Sequence, residues 1–426
     1  MPDQQSRTEG RQGRSKLNQA KVQTIPQQST AASHAAACPC CGGHEFFEVL
    51  GFKAVPATGI FRSQLDGDIP AGDLCFDACA DCGLLRRRDF ACPPDYTDRP
   101  RSTEKQLPTY REDLLKAIAR LAKKNDLIAD IGSNDGTFLR LLRAQGYTNI
   151  FGVEPALALA ELSRQSGLRV QSGYFGPEIV RTLLASYGNV RLAVCRHTLE
   201  HVPYPGQFVA AIRELLAPAD GTALIEVPDS TVITDWFNFV ELWDEHLHYF
   251  TAHTLGLLLN RNGLSIEQHQ TFSHLDTRNL LAWVCVRGAT SAPTTDKPAD
   301  DGAAQWRAFS RKFQKFADRI QAEAATFGKP TYLIGASHPQ CNFVNYLGIG
   351  DRVDFMIDDD PAKAGKFPPI RGRGARIIST EQFMAGPNGG AVILTGFGYP
   401  AWTQKIVRAA TAKSMQIIDP QVLVEQ

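Results

Sequence analysis

The sequence predicts an α/β protein whose largest domain is a doubly wound, mostly parallel sheet. Three observations support this fold class. Short apolar runs alternate with helical patterns between residues 111 and 227 and complete five strand-helix units. A second, smaller alternation follows residue 305, and clustered cysteines precede both. We therefore predict an N-terminal metal-binding module, a central Rossmann-like domain and a second Rossmann-like domain at the C-terminus.

The composition restricts the class of protein. The chain has 426 residues, 43% hydrophobic and 21% charged, with a formal net charge of zero. This length fits two or three domains. Because there is no basic excess and no apolar run of ~20 residues, we expect no nucleic-acid partner and no membrane span. No secretory signal is recognisable and the cysteines are few, so we expect a reducing, cytoplasmic setting.

Three stretches have the composition of unpacked chain. Residues 1–37 are rich in Gln, Ser, Arg and Lys without an apolar core, which is typical of a disordered tail. Residues 90–106 form a connector, and residues 288–304 form a linker. The predicted domains are accordingly a zinc-binding module at 38–105, a central domain at 106–287 and a C-terminal domain at 305–426.

Two cysteine motifs predict a structural zinc site. Each has the form CxxC followed by glycine, in which a tight turn directs two thiolates at one metal. The predicted ligands are Cys38, Cys41, Cys79 and Cys82. Free thiols or a redox pair are the alternatives, and Cys40 or Cys75 could replace a neighbouring ligand; Cys92 is unassigned. A closed site with four cysteines has no open position for catalysis, and structural zinc contributes on the order of 10 kcal/mol to folding.

The segment Leu127–Thr137, LIADIGSNDGT, has the pattern of a strand, a glycine-rich loop and a helix. Open α/β sheets bind ligands where the strand ends and the helix begins, and glycines let the backbone approach the ligand closely. The loop matches neither GxGxxG nor a phosphate-binding GK[ST] motif, which disfavours dinucleotides and nucleoside triphosphates.

A second strand ends on Glu154, whose carboxylate could accept the two hydroxyls of a ribose. A nucleoside site without a phosphate cradle, with acidic residues nearby, favours S-adenosylmethionine, which has a ribose, an adenine and a sulfonium cation. The alternatives are a βαβ turn that binds nothing and aromatic residues that only pack. The predicted cofactor-binding residues are Asp130, Gly132, Asn134, Asp135, Gly136, Glu154, Tyr174 and Phe175.

Acid/base groups follow the later strands. His201 comes just after the fourth strand, and Glu226 to Asp229 end the fifth. The segment 244–251, DEHLHYFT, is the densest set of such groups in the chain. A histidine near its usual pKa of ~6.5 can take a proton at neutral pH, and a neighbouring glutamate can orient the ring. The candidate catalytic residues at these two places are His201, Glu245, His246, His248 and Tyr249.

The C-terminal pattern begins with a helix over 305–327, whose aromatic face we expect to be core. Strands are predicted at 331–334, 354–358, 391–394 and 416–418, with a loop at Gly335-Ala336-Ser337-His338. This domain either closes over the substrate of the central domain or only braces it.

The order of these motifs resembles the three-domain sugar C-methyltransferases of antibiotic deoxysugar pathways. The resemblance covers residues 38–420 and rests on the paired CxxCG motifs, DIGSNDG and the segment EHLHYF. Gly335-Ala336-Ser337 and Asn345-Tyr346-Leu347-Gly348-Ile349 also look like that family. The ordered combination is more specific than any single motif.

The resemblance implies a class I methyltransferase sheet and a nucleotide-linked 4-keto-6-deoxysugar substrate. A base would remove the proton from the carbon beside the ketone, and the enolate would attack the methyl group of S-adenosylmethionine. The histidine of the EH pair is the family's favoured base, which here is His246, with Glu245 beside it; His201 matches another active-site histidine. Tyr249 would serve the enolate oxygen or only pack.

The sequence departs from that family where substrate binds. Trp243 stands where the family's YxEH segment has tyrosine, and 98–103 and 275–278 replace its lid and its GGS-R segment. Methyl transfer to oxygen or nitrogen is the alternative reaction. A non-catalytic nucleotide-binding protein and a nicotinamide dehydrogenase are the other classes considered; the acid/base cluster disfavours the first.

Overall fold

The structure is a computed structural model. It describes residues 37–65, 70–88, 110–274, 277–286, 302–395, 400–420 and 422. Several predicted segments lie outside this part of the chain: residues 1–36 of the tail, the whole connector with Cys92 and 98–103, residues 275–276, and most of the linker. No helix within the described ranges combines the length and apolar character that a membrane crossing requires.

The N-terminal part begins with three antiparallel strands. These are β1 (Phe46–Pro56), β2 (Ala71–Cys79) and β3 (Leu85–Arg87). The first cysteine pair precedes β1, and Phe46 pairs with Cys79 at the end of β2. The long spacing between the two cysteine pairs is therefore taken up by a hairpin, which brings the pairs side by side.

The central part alternates strands and helices as predicted. Its elements are α1 (Arg111–Leu121), β4 (Ile128–Ile131), α2 (Thr137–Ala144), β5 (Ile150–Glu154), α3 (Leu157–Gln165), β6 (Val170–Ser172), α4 (Pro177–Tyr187), β7 (Leu192–Arg196), α5 (Pro205–Leu216), β8 (Thr222–Pro228), α6 (Thr231–Asp235), β9 (His248–Tyr249), α7 (Ala252–Arg261), β10 (Leu264–His274) and β11 (Thr277–Val286). Strands β4 and β5 are buried along their whole length, as expected for strands covered by helices on both faces.

Seven of the described strands form the central sheet in the order β10-β11-β8-β7-β4-β5-β6. Strands β4 to β8 are parallel, whereas β11 is antiparallel to both of its neighbours. The predicted doubly wound, mostly parallel sheet is confirmed. The strand order reverses at β4, between β5 and β7, so the crevice for a ligand opens at the carboxyl ends of these strands.

The short strand β9 was not predicted, and it leaves the central sheet. It pairs antiparallel with β3, with Leu85 opposite Tyr249 and Arg86 opposite His248. The N-terminal sheet of the described chain thus has the order β1-β2-β3-β9. The segment that contains the predicted catalytic residues is consequently an edge strand of the cysteine-bearing sheet.

The C-terminal part is a second α/β unit. Its elements are α8 (Gly302–Ala324), β12 (Thr331–Ile334), α9 (His338–Leu347), β13 (Phe355–Ile357), β14 (Arg376–Ile378), α10 (Thr380–Ala385), β15 (Ala391–Ile393), α11 (Pro400–Ala412) and β16 (Gln416–Ile418). The described strands form a parallel sheet in the order β14-β13-β12-β15-β16, which confirms a Rossmann-like unit. The sequence analysis missed β14 and α10.

One hydrophobic core joins the N-terminal and C-terminal sheets. The aromatic face of α8 is buried, as predicted, and its Phe313 lies 5.7 Å from Phe52 of β1 between ring centroids. Phe52 also stacks on Tyr346 of α9 at 4.0 Å. Residues between α6 and β9 enter the same core through Phe237 and Phe239. The insertion that leads to the predicted catalytic segment is therefore packed between the two outer sheets.

Candidate active site

The loop after β4 turns sharply at the switch point of the central sheet. Gly132 has φ +79°, and a Cβ there would lie 2.2 Å from Oγ1 of Thr198. Gly136 has φ +77°, and its Cβ would lie 2.5 Å from Leu168. Glycine is required at both positions because the backbone is left-handed and its neighbours leave no room for a side chain. The loop is thereby held against the ends of β4 and β7.

Glu154 organises this loop from the end of β5. Its two carboxylate oxygens accept hydrogen bonds from the backbone N–H groups of Asn134 and Ala156, each at 2.8 Å. Its backbone oxygen accepts from Gly173 at 3.1 Å. A carboxylate has about four acceptor sites, so two remain for the hydroxyls of a ribose. The carboxylate, the loop at 132–136 and the loop at 173–175 meet at one edge of the sheet, which fits a nucleoside.

The two acidic residues of the loop have different surroundings. Burial raises the pKa of Asp130 to about 7, and the nearby cation of Arg196 opposes that rise. Asp135 is also buried, but its carboxylate accepts from the backbone N–H of Thr137 at 3.0 Å and lies 3.9 Å from Arg140. Asp135 therefore holds the first turn of α2, and its carboxylate is largely taken up by the protein.

The two predicted aromatic residues lie in the loop after β6. Phe175 packs edge-on against Phe208 of α5, with ring centroids 5.2 Å apart, and joins the core of the central domain. Tyr174 is half-buried. The structure thus favours the packing alternative for Phe175.

Two histidines from distant parts of the chain meet at the end of β7. His201 lies in a 3₁₀ turn, Leu199–His201, and His246 lies just before β9. Their ring centroids are 4.8 Å apart at an interplanar angle of 71°, and His246 is only 7% exposed. His201 Nδ1 lies 2.9 Å from the backbone oxygen of Glu245. Three of the predicted catalytic residues are therefore brought together, although Glu245 contributes a backbone carbonyl to this contact.

Glu200 belongs to the same cluster and was not among the predicted residues. One carboxylate oxygen of Glu200 and one ring nitrogen from each of His201 and His246 lie within 4.8 Å of one another. The backbone oxygen of Glu200 accepts a hydrogen bond from the N–H of Leu247 at 2.8 Å. This bond joins the turn that contains His201 to the segment that contains His246. The sequence contains a signal for this arrangement, because Glu-His occurs both at 200–201 and at 245–246.

The other polar residues of the catalytic segment point elsewhere. His248 is buried and stacks on Phe250, and burial together with the Arg86 cation lowers the pKa of His248 to about 3. The Tyr249 hydroxyl lies 2.7 Å from the backbone nitrogen of Trp243 and 3.1 Å from its oxygen. This hydroxyl both accepts and donates within its own turn, which favours the packing alternative for Tyr249.

The segment is anchored to the N-terminal sheet by polar contacts. Thr58 donates to the carboxylate of Asp244 through its backbone nitrogen at 3.1 Å and its hydroxyl at 2.6 Å. Arg87 donates to the backbone oxygen of Asp244, and its N–H reaches the Leu247 oxygen at 3.0 Å. These bonds fix both sides of His246.

The C-terminal unit also reaches the site. Trp243 lies between the rings of His246, at 4.8 Å, and His338, which stacks on it at 4.3 Å. Asn342 of α9 donates to the backbone oxygens of Val240 and Leu242. The C-terminal unit therefore reaches His246 through Trp243, and His338 was identifiable from sequence only as part of the Gly335 loop.

A second polar network lies beside the switch point. Glu226, fully buried at the end of β8, pairs with Nε of Arg196 at 2.5 Å and with Nε2 of His197 at 3.2 Å, and accepts from the hydroxyl of Tyr110. The sequence predicted the position of Glu226 at the ligand-binding edge of the central sheet but gave no role for it. The network holds charged groups of β7 and β8 at the same edge as Asp130.

The cysteine motifs form one compact cluster. The Sγ atoms of Cys38, Cys41, Cys79 and Cys82 lie within 4.8 Å of one another, with two pairs at 3.6 and 3.5 Å. Tetrahedral zinc with Zn–S bonds of about 2.3 Å sets its sulfurs about 3.8 Å apart, so the donor set fits zinc. In both motifs the N–H four residues after the first cysteine donates to that cysteine's carbonyl, which makes the two turns equivalent.

The chain is similar in sequence to known methyltransferases. Residues 104–269 match the family model of a methyltransferase domain. C-methyltransferase NovU of Streptomyces niveus is 24% identical over 366 residues, which cover 81% of this chain and 86% of NovU.

Solved methyltransferase structures also match. The CcbJ methyltransferase of Streptomyces caelestis is 13% identical with a TM-score of 0.37, covering 46% of this chain and all of that one. A SAM-dependent methyltransferase of Anabaena variabilis is 16% identical with a TM-score of 0.35, covering 42% of this chain and 86% of that one.

Proposed function

We propose that this chain, an S-adenosylmethionine-dependent methyltransferase of the sugar and secondary-metabolite C-methyltransferase family, methylates carbon. The acceptor we infer is a nucleotide-linked deoxysugar, or a related intermediate, with a ketone beside the methylated carbon. The pairing of His246 with His201 at the end of β7 is the observation that carries this proposal. The relationship to a C-methyltransferase over most of the chain supports it.

The reaction needs a base that is neutral at physiological pH and a donor for the oxygen. His246 is the proposed base, because it is largely buried, fixed by its neighbours and placed at the ligand edge of the sheet. His201 is the proposed donor to the ketone oxygen as negative charge develops there. A ketone acidifies the neighbouring C–H bond, and stabilising the enolate oxygen lowers the barrier to proton removal further, so we propose separate residues for the two tasks.

The switch-point loop is the proposed cofactor site. Glu154 would accept the ribose hydroxyls, the backbone at Gly132 and Asn134 would approach the nucleoside, and Asp130 would lie near the sulfonium. S-adenosylmethionine, when bound, supplies an electrophilic methyl group. Holding the nucleophilic carbon and that methyl in line contributes about 7 to 11 kcal/mol in well-oriented systems.

The assay uses methyl-labelled S-adenosylmethionine with a panel of nucleotide 4-keto-6-deoxyhexoses, followed by product mass and by NMR of the labelled methyl. We expect a product with one added methylene whose label is on the carbon beside the ketone. His246→Gln should lower kcat at least about 100-fold, the usual scale of a lost general base, with unchanged S-adenosylmethionine affinity.

Hydrogen exchange separates proton removal from methyl transfer. In D₂O with S-adenosylhomocysteine in place of the methyl donor, the wild-type protein should exchange the proton beside the ketone, and His246→Gln should not. His253→Gln, at the partly exposed start of α7, is a matched control that we expect to retain both activities. A label on oxygen or nitrogen would establish the alternative O- or N-methyl transfer and refute the C-methylation proposal.

Two further assignments accompany this function. We propose that the four-cysteine cluster holds one structural zinc ion, because its donor set and spacing fit that metal. We also propose three domains, at residues 38–105, 106–287 and 305–426. Strand β9 lies within the second of these ranges, but it pairs with the first sheet. The C-terminal unit then braces the segment of His246 through Trp243.

A further inference from the structure

Glu200 is a buried carboxylate that the proposed reaction does not yet use. Its side chain is 2% exposed, and neither carboxylate oxygen accepts a hydrogen bond from any described residue. An ionised carboxylate in such a place is costly unless a cation faces it. The structure therefore raises the question of which neighbour carries the compensating charge.

Two imidazole nitrogens lie within 4 Å of this carboxylate, and the thiol of Cys195 is a further ionisable group that its charge reaches. Oε1 of Glu200 lies 3.6 Å from Nδ1 of His197 and 3.9 Å from Nε2 of His201. His197 is turned mainly to Glu226, at 3.2 Å, and 41% of its side chain is exposed, so water screens its charge. His201 is only 17% exposed and lies inside the cluster with His246. His201 is accordingly the better-placed partner of Glu200.

The position of the hydrogen on the His201 ring decides which group Nε2 presents to Glu200. Its Nδ1 lies 2.9 Å from a backbone carbonyl, which can only accept, so Nδ1 carries a hydrogen. A neutral ring would then place the lone pair of Nε2 3.9 Å from the Glu200 carboxylate, whereas a protonated ring carries an N–H there. Because 3.9 Å is too long for a hydrogen bond, Glu200 acts on the ring through its charge, and the Nε2–H stays available to the ketone oxygen. The groups that face this ring are Glu200, the Glu245 segment, His246 and, beyond the carboxylate, His197.

We propose that Glu200 is a positioning residue that keeps His201 in its imidazolium form, so that His201 can stabilise the enolate oxygen while neutral His246 acts as the base. Two imidazoles with centroids 4.8 Å apart resist carrying two positive charges, which keeps His246 neutral once His201 is charged. This division of labour between the histidines rests on the proposed function. The protonation of His201 itself does not depend on the acceptor.

The test is an NMR titration of the histidine rings in the substrate-free, zinc-loaded full chain, with His201→Gln used to assign the signal. In Glu200→Gln we expect the midpoint of His201 to fall by about one pH unit or more, a tenfold loss of proton affinity. The surface variant Glu178→Gln should leave that midpoint in place. Should Glu200→Gln fail to fold, Glu200→Asp is expected to move the midpoint in the same direction by less.

Several results would overturn the proposal. An unchanged or raised midpoint for His201 is one, and a shift confined to His197 is another. A third such result is a metal ion, in addition to the zinc, that binds one per chain and is lost in Glu200→Gln, because the carboxylate would then be a metal ligand. Because no acceptor is present, none of these results depends on whether the substrate is a keto sugar.

A kinetic measurement follows once an acceptor is known. The alkaline limb of kcat, where His201 loses its proton, should move to lower pH in Glu200→Gln with KM unchanged. Glu200→Gln should also cost little when added to His201→Gln, because it acts through that ring. A purely structural role would predict additive losses and an unmoved alkaline limb.

Discussion

Individual residues of the site differ in how much of their bonding capacity the protein itself uses. Glu154 binds two backbone N–H groups and still has acceptor sites for a ligand. Asp135 and Tyr249, by contrast, serve a helix start and a turn. Residue type alone does not separate these cases, because a carboxylate or a hydroxyl is equally suited to either task. Hydrogen-bond partners decide it, and they come from folded geometry.

Asp130 gives a pH-dependent prediction. Burial raises its pKa from 3.8 to about 7, with Arg196 opposing and Glu154 adding to the rise. Between about pH 4 and 7 the Asp130 carboxyl is therefore protonated in the folded state and ionised in the unfolded state. Its contribution to stability is complete below about pH 4 and is lost as the pH rises through about 7. We expect Asp130→Asn to gain stability relative to wild type as pH rises, by up to about 4 kcal/mol above pH 7.

Urea unfolding from pH 4 to 8 measures this difference in the free energy of unfolding. Asp113→Asn, an exposed position on α1, is the matched control and should show no such trend. A difference between Asp130→Asn and wild type that stays constant with pH would show that Asp130 titrates as an ordinary carboxyl.

Among the elements, β9 is the one that links catalysis to the N-terminal sheet. It has only two residues, and its partner β3 has three. In runs this short, the hydrophobic pattern has no period that distinguishes a strand from a turn. The sequence therefore predicted a cluster of acid/base residues but no strand. Pairing with β3 holds His248 opposite Arg86, where it is buried, whereas His246 lies before the strand and contacts His201.

The contact between Thr58 and Asp244 gives a prediction for this element. Thr58→Val removes the 2.6 Å hydroxyl bond and leaves the partly buried carboxylate with a single donor from Thr58. We expect a loss of about 1 to 3 kcal/mol in stability, and a several-fold lower kcat because the turn before His246 loosens. Affinity for S-adenosylmethionine, measured by calorimetry, should not change.

Lys53→Ala on β1 is the control for this variant. Its ion pair with Asp73 is exposed to water, which screens the attraction between the two charges, so both stability and kcat should stay close to wild type. If Thr58→Val kept the wild-type kcat, the anchoring of the catalytic segment through Asp244 would have no role in turnover.

Across the whole molecule, the four-cysteine cluster, the proposed catalytic segment and the C-terminal unit form one connected structure. Cys79 ends β2 and Cys82 precedes β3, the strand that pairs with β9. Arg261 of α7 donates to the backbone oxygen of Cys41 at 3.1 Å, which ties the cluster to the central domain as well. Loss of the metal should therefore reach the active site through β3.

This connection predicts that zinc is required for turnover although it does no chemistry. Chelation should release one zinc ion per chain, and Cys79→Ser should lower both the metal content and kcat at least about tenfold, since structural zinc contributes on the order of 10 kcal/mol to folding. Metal analysis and the methyl-transfer assay measure the two effects. Cys75→Ser, on the same strand but outside the cluster, should keep both. Full activity in a zinc-free preparation would disprove the connection.

The sequence by itself determined the central sheet, the glycine loop, the acid at the end of β5 and the pairing of CxxC motifs. The first three depend on local period or on strand direction, which are properties of neighbouring residues. The pairing of the CxxC motifs was predicted instead from the chemistry of thiolate ligands, since four of them complete one zinc site. Only the tertiary structure decided that His246 rather than His248 faces His201, that Glu200 joins them, and that Thr58 holds Asp244. Thr58 and Asp244 are 186 positions apart, and His201 and Glu245 are 44 apart. Contacts at such separations leave no repeating pattern in a single sequence, because they arise only when distant elements pack together.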